Sequence, residues 1–269
     1  MTILIFLSIG VFVPQSRFTM LYSSFVHLAF GGVMNGFISC ALMKFYGASD
    51  WRYAATSSAL MLPCAILPTV LLVDLIDYIE KSNQLFPFTS FVFAAVLWAA
   101  INIPSSHMGS YLAWTRADVT KPAPVSAIRR RVPPLPMHLE FKGAVCLASI
   151  LIFTAAIAPF HQIMTSVWRS QLIGAFALLL VNLLLICVIT SLISVIHTYL
   201  ALQAQDWQWQ WRAWWSGFAS SFMLFNYTAW VLIELPAMDI ASYFVVGLYA
   251  LTACGLFGLL CGAASLLAS

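Results

Sequence analysis

The sequence predicts an all-α protein, a polytopic transmembrane helical bundle of about seven full spans with a partial helix in front. Three observations carry this. Hydrophobic residues make up 62% of the chain and charged residues only 8%, against about 25% charged in a soluble domain. The apolar residues fall in runs long enough to cross a bilayer as helices, which takes about 20 residues each. A single long polar stretch, residues 109–136, separates these runs into two groups.

That stretch reads GSYLAWTRADVTKPAPVSAIRRRVPPLP, with Arg116, Lys121, Arg129, Arg130, Arg131 and five prolines, Pro122 to Pro136. Prolines at that density exclude a regular helix, so an irregular connector is expected. Its loop proper covers residues 115–141 and lies between two halves of a single transmembrane domain spanning 1–269. No separate soluble domain is expected.

The elements follow in order. Residues 1–13 are apolar but short, without a charged leading region or a small-residue cleavage site, so they make a poor signal peptide. They read as a partial helix, the end of one that starts earlier. Full spans are expected at 18–45, 53–76, 85–114, 141–164, 172–201, 213–233 and 240–267. Strands of a membrane barrel alternate over roughly 10 residues, and these runs are far longer. All six cysteines (Cys40, Cys64, Cys146, Cys187, Cys254, Cys261) lie inside the runs. That reads as apolar filler rather than a disulfide framework or a metal site.

Seven crossings sort the basic residues onto two sides. One side takes Lys44, Arg52, Arg116, Lys121, Arg129, Arg130, Arg131, Lys142 and Arg212; the other takes Arg17, Lys81 and Arg169. Basic loops stay in the cytosol, so the polar connector, the 44–52 turn, the 203–212 turn and the C-terminus are expected there. Asp74, Asp77, Glu80, Glu234 and Asp239 then face the lumen or exterior.

The 203–212 turn leads into a second landmark, QDWQWQWRAWW at 205–215, with five tryptophans and Arg212. Indoles settle at a membrane interface because one edge is apolar and the N–H seeks water. An aromatic anchor belt is the plain reading. The sharper one is a docking surface, a fixed cytosolic cluster in which Arg212 stacks on a tryptophan or reaches lipid phosphate or Asp206. Trp207, Trp211 and Trp214 or Trp215 recur at helical spacing and would share a face. On this view, truncating Trp211 to alanine costs more than exchanging Arg212 for lysine.

Ordered motifs now accumulate. They are Gly36-Phe37-x-Ser39 with Lys44 and Trp51; Pro63; Pro87-Phe88; Trp98; and Pro104 followed by Gly109-Ser110-Tyr111. After the Arg-x-x-Pro end of the connector come Trp168, Tyr199, and Asp206-x-x-Trp209-x-Trp211-Arg212 with Ser216-Gly217. Together they resemble the C-terminal membrane region of the nonaspanins, the nine-transmembrane-segment superfamily. The resemblance implies residence in Golgi and endosomal membranes and a role in sorting and surface delivery of other membrane proteins. It also implies a lumenal N-terminal domain and two earlier spans, which this chain does not match, so it reads as a truncated or divergent member. Further departures are Gln205-Asp206-Trp207 in place of the family's cytosolic Glu-Asp-Tyr, Pro159 and Leu192 in place of two acidic residues, and an end at Ser269 without the usual lysine-containing tail.

Candidate sites follow from residue chemistry. Pro104 lies inside a long span and frees the Ala100 carbonyl. Asn102 and Ser106, four apart, share a face and offer bonds to freed backbone groups, with His107 one residue on. The arrangement is a polar kink or, more sharply, a hinge or binding notch. Gly32 with Gly36, and Gly258 with Gly262, permit close backbone approach, either within the bundle or to the helix of a client protein. Asn182, Thr190, Ser194 and His197 fall on one face of a later span, and His27 and Asn35 lie in an early one; hydrogen-bonded helix gluing is the expected use. Asp74, Asp77 and Glu80 read as a solvated helix end, with cation binding as the alternative. Asn226-Tyr227-Thr228 fits a glycosylation acceptor but lies within a span. Arg129, Arg130, Arg131, Asp206, Trp209, Trp211 and Arg212 form the expected cytosolic interface. No catalytic motif is present, so no enzyme activity, cofactor or metal is expected.

The main functional expectation is therefore a sorting and trafficking membrane protein that meets its clients helix against helix. Its partners would be the bilayer, other membrane proteins and, at the cytosolic face, anionic lipid or trafficking factors, with no nucleic acid. The alternative is a secondary transporter or channel for a small uncharged solute. The span centres hold His27, Asn35, Asn102, Asn182 and Asn226 but no Asp, Glu, Lys or Arg to couple an ion.

Overall fold

Among the described residues, the apolar runs fold as seven α-helices: α1 (Arg17–Phe45), α2 (Trp51–Ile79), α3 (Phe88–Thr115), α4 (Phe141–Trp168), α5 (Leu172–Gln203), α6 (Trp209–Glu234) and α7 (Ile240–Ala268). The computed structural model describes the backbone at 17–45, 47, 50–80, 88–116, 140–168, 172–204, 206, 208–234 and 239–269. Side chains are described at 28–45, 47, 50–80, 89, 91–116, 140–162, 180–204, 206, 208–233 and 239–269. The expected partial helix at 1–13, Lys121, the arginines Arg129, Arg130 and Arg131, Gln205 and Trp207 lie outside the described residues, as does the side chain of His27. Among the described residues there is no strand.

At 1.5 Å per residue, helices of 26 to 32 residues reach about 39 to 48 Å, more than the roughly 30 Å hydrocarbon core. Six of the seven are long and apolar enough, by length and composition, to cross a membrane. The exception is α6, which has the length but carries Gln210, Arg212, Ser216, Ser220, Ser221 and Asn226.

One expectation needs correction. The polar stretch is expected as connector from residue 109, but 109–115 are the last turns of α3, in keeping with the span expected at 85–114. The prolines of that stretch begin only at Pro122, so none of them removes a backbone bond from the last turns of α3.

The packing reverses that of a soluble protein. Most fully hidden positions are small or hydroxylated, among them Ser106, Ser110, Ser149, Thr190, Ser194, Ser216 and Ser265, with Ile152 and Leu224 as large exceptions. Large aliphatic residues such as Leu71, Leu72, Leu75, Val188, Leu192 and Ile196 point outward. In hydrocarbon, burying a leucine gains nothing, whereas small residues let helices approach and hydroxyls bond across the gap.

The helices form two compact units that divide at Val125/Ser126, inside the proline-rich connector. In the first, α3 packs on both α1 and α2, most extensively on α1. In the second, α7 lies along α6, α4 contacts α5 and α6, and α5 contacts α7. Gly47, at φ 86°, turns the chain between α1 and α2, and its N–H bonds the Lys44 carbonyl at 3.0 Å. That left-handed conformation suits glycine.

Candidate functional site

The α1–α3 seam is built by glycines on both sides. A methyl on Gly36 would strike the Ser106 backbone, and one on Gly109 would strike the Val33 backbone. A methyl on Gly32 would strike Ser105 and Asn102. Because the backbones meet, short side chains reach neighbouring carbonyls. Ser110 Oγ donates to Gly36 O at 2.9 Å, and Ser106 Oγ to Ala55 O of α2 at 3.2 Å. Asn102 Nδ2 donates to Ala59 O at 3.4 Å, and Asn35 Nδ2 to Ser58 O at 2.8 Å. Asn102 and Ser106 thus share the buried face expected of them, but they serve α2 rather than the carbonyl that Pro104 frees. Pro104 itself is on the exposed face of α3, and α3 continues as helix across it.

One end of this unit is closed by Lys44. Its Nζ donates to the Trp114 carbonyl at 3.0 Å and to the Arg116 carbonyl at 2.7 Å, and lies 5.4 Å from the centre of the Trp114 ring. A cation at the last carbonyls of α3 complements the negative end of the helix dipole. Trp51 packs edge-on against His107 and Tyr111, with Arg52 over its ring.

In the second unit Ser265 of α7 is the hub. It donates to Ala213 O of α6, accepts from Ser194 Oγ of α5 through its carbonyl at 2.6 Å, and meets Ser216 Oγ at 3.3 Å. Gly217 packs on the Cys261–Gly262 backbone, Gly258 on Ser221, and Gly262 on Trp214. The glycines picked out as helix-packing or client-facing positions are therefore all used inside their own units. Thr190 donates to Ile186 O in its own helix, while His197 is buried with no partner for either ring nitrogen.

The 203–212 turn holds an ion pair. Arg212 Nε lies 2.6 Å from Asp206 Oδ2, and both side chains are almost wholly buried. Asp206 Oδ1 accepts the Gln208 N–H at 2.9 Å, so the carboxylate also organises the start of α6. Of the partners expected for Arg212, Asp206 is met, and the guanidinium also lies 5.9 Å from the Phe141 ring of α4. Among the described tryptophans, Trp211 pairs with Trp214 and Trp214 with Trp215, and Trp214 stacks on Phe218 at 4.8 Å. Trp209 is half-buried and Trp211 is 63% exposed. Among the described residues, no cluster of His, Cys, Asp or Glu could hold a metal.

The family model described as Endomembrane protein 70 matches residues 1–240. The chain belongs to that family. In this Endomembrane protein 70 member, similarity extends to Transmembrane 9 superfamily member 2 of Saccharomyces cerevisiae, 27% identical over 77% of this chain and 31% of the relative. Member 10 of Arabidopsis thaliana is 25% identical over 83% of the chain and 35% of its own length. Member 2 of Homo sapiens is 22% identical over 89% and 36%. The chain thus spans about a third of the curated relatives it matches, and no solved structure matches it.

Several residues of this member escaped the sequence reading. Phe141 and Ser265 are ordinary letters in apolar runs, and Ser110 stood out only within the Gly109-Ser110-Tyr111 motif, not for its bond to Gly36. Their signal was small residues four apart, as in Ser106-x-x-x-Ser110 and Gly258-x-x-x-Gly262, but which helix each faces is not written in the spacing. The same holds for His161 Nδ1, which lies 2.8 Å from the Tyr227 hydroxyl, joining α4 to α6.

Proposed function

We propose that this chain is the membrane-embedded part of a factor that sorts and delivers other membrane proteins in Golgi and endosomal membranes. Family membership gives the class of membrane protein; the sorting role is our reading of it. The observation that carries the choice over transport is where the intramembrane polar groups go. Asn35, Asn102, Ser106, Ser110 and Ser194 all end on backbone carbonyls of neighbouring helices. A solute pathway needs such groups turned toward a cavity. The 470 Å³ groove between α2 and α3 is instead lined by apolar residues such as Leu60, Leu67, Phe91 and Trp98.

With the packing glycines occupied, contact with a client helix falls to lipid-facing surfaces. The basic connector and the 203–212 turn would face the cytosol, with the arginines near Arg130 available to anionic lipid or trafficking factors. We assign no catalytic step and no cofactor to the chain. The test is to express the tagged chain, localise it, and cross-link it in intact membranes. The expected result is coincidence with Golgi and endosomal markers and recovery of transmembrane proteins through lipid-facing positions. Solute flux in liposomes without any cross-linked membrane protein would overturn this in favour of a transporter. Labelling of an introduced cysteine at Val125 from the lumen would overturn the orientation.

A further inference from the structure

We propose that the groove between α4 and α5 binds a hydroxyl-bearing membrane lipid, a sterol, through His197. The groove measures about 170 Å³ and has Leu147 and Leu151 of α4 and Ile193 and Ile196 of α5 as walls, with Ala148 and His197 at its base. His197 is 7% exposed, yet neither of its ring nitrogens has a hydrogen-bond partner. The hydroxyl of Thr198, the next residue, is also buried without one. Earlier on α5, Thr190 is satisfied by its own helix and Ser194 by α7. His197 and Thr198 thus differ from these two, and a buried polar group left unbonded costs free energy that a ligand can recover.

The surroundings decide what kind of ligand. Both walls belong to stretches apolar enough to span the bilayer, Phe141–Gln162 and Leu180–Gln203, so the groove opens toward hydrocarbon, where little water is at hand. His197 lies six residues before the end of α5 at Gln203, about 9 Å along the axis. A helix of 32 residues, about 48 Å long, overshoots a hydrocarbon core of about 30 Å by about 9 Å at each end when centred. His197 therefore falls at the polar edge of the core, where a sterol carries its hydroxyl. A neutral imidazole offers one donor and one acceptor. A hydroxyl answers either, whereas a lipid ester only accepts. A transmembrane helix arrives with its backbone already bonded and would leave His197 as it is. The groove is close in size to a cavity of about 150 Å³ that holds a single six-membered ring, which suits the hydroxyl-bearing end of a sterol with its body on the aliphatic walls. The ring nitrogens are covered by neighbours, so engagement takes a turn of the imidazole about χ2, a broad and soft torsion.

The test is photolabelling of the full chain in phosphatidylcholine nanodiscs with a diazirine cholesterol analogue. Labels are expected on 144–151 and 193–200, suppressed by cholesterol and not by cholestane, which lacks the hydroxyl. His197→Phe keeps a ring and removes both nitrogens; it is expected to lower labelling about 5- to 10-fold, the worth of one hydrogen bond. Leu147→Trp fills the groove from an exposed position and is expected to do the same while eluting as wild type does. It decides the matter if the histidine variant fails to fold. Equal labelling in the variants, equal competition by cholestane, or labels only elsewhere would overturn the proposal. So would a phosphatidylcholine acyl probe that labels the groove as well as the sterol does.

Discussion

Arg212 and Asp206 face each other at 2.6 Å across the turn between α5 and α6, with 6% and 5% of their side chains exposed. The pair sits in a tightly made corner. The Asp206 N–H bonds the Ala201 carbonyl at 3.0 Å, and the Arg212 N–H bonds Gln208 O at 3.2 Å. A buried ion pair gains little over an apolar replacement, but removing one partner strands the other.

Asp206→Asn is therefore expected to destabilise the protein by about 3 to 5 kcal/mol. Arg212→Lys keeps the charge but loses the planar fork, and should cost less. Trp211→Ala removes a mostly exposed ring and should change little in detergent. This reverses the order expected from the tryptophan spacing. The midpoint of thermal aggregation in detergent measures all three, and a wild-type midpoint for Asp206→Asn would show that the pair does not hold the corner.

The glycines provide their own control. Gly36→Ala and Gly109→Ala place a methyl against backbone atoms of the facing helix, while Gly255→Ala meets nothing within 4 Å. The first two should separate α1 from α3 and destabilise by about 1 to 3 kcal/mol. The third should stabilise by up to about 1 kcal/mol, because alanine is the better helix former. Size-exclusion profiles after heating would report the difference; similar profiles for all three would contradict the close seam.

Lys44→Met leaves the carbonyls of Trp114 and Arg116 without their cation. The outer part of this contact is solvent-exposed, so the loss should be about 1 kcal/mol, concentrated at the end of α3. Hydrogen exchange should quicken over residues 112–116 and stay unchanged in α2. Uniform protection throughout would mean that Lys44 is not a cap.

Ser265→Ala deletes the donor to Ala213 and the meeting with Ser216. Hydrogen bonds between membrane helices average about 0.6 kcal/mol, so the loss should be modest. Ser265→Leu inserts bulk at a fully buried position and should cost more than the alanine change. If leucine is tolerated as well as alanine, in the same heating assay, the three-helix junction is looser than described.

Much of the candidate site was legible in the letters. Asn102 with Ser106, Gly32 with Gly36 and Asp206 with Arg212 were all picked out, because helical spacing puts residues four apart on one face and a charge pair bracketing a turn is conspicuous. Their partners were not. Ser106 reaches Ala55, Asn102 reaches Ala59, and Arg212 reaches Phe141, contacts that cross from one helix to another.

The sequence by itself determined the helices and the class of protein, because hydrocarbon allows an apolar run of this length little besides a helix that satisfies its own backbone. It determined the family as well, through motifs in fixed order. Only the tertiary structure decided which faces turn inward. In a soluble protein the hydrophobic stripe answers that question, but here the apolar residues surround each helix, and burying a leucine is nearly neutral in lipid. The choice passes to a few glycines and hydroxyls whose value depends on the backbone opposite. That is why Gly36 meets Ser106, why Ser265 joins three helices, and why His197 is left without a partner.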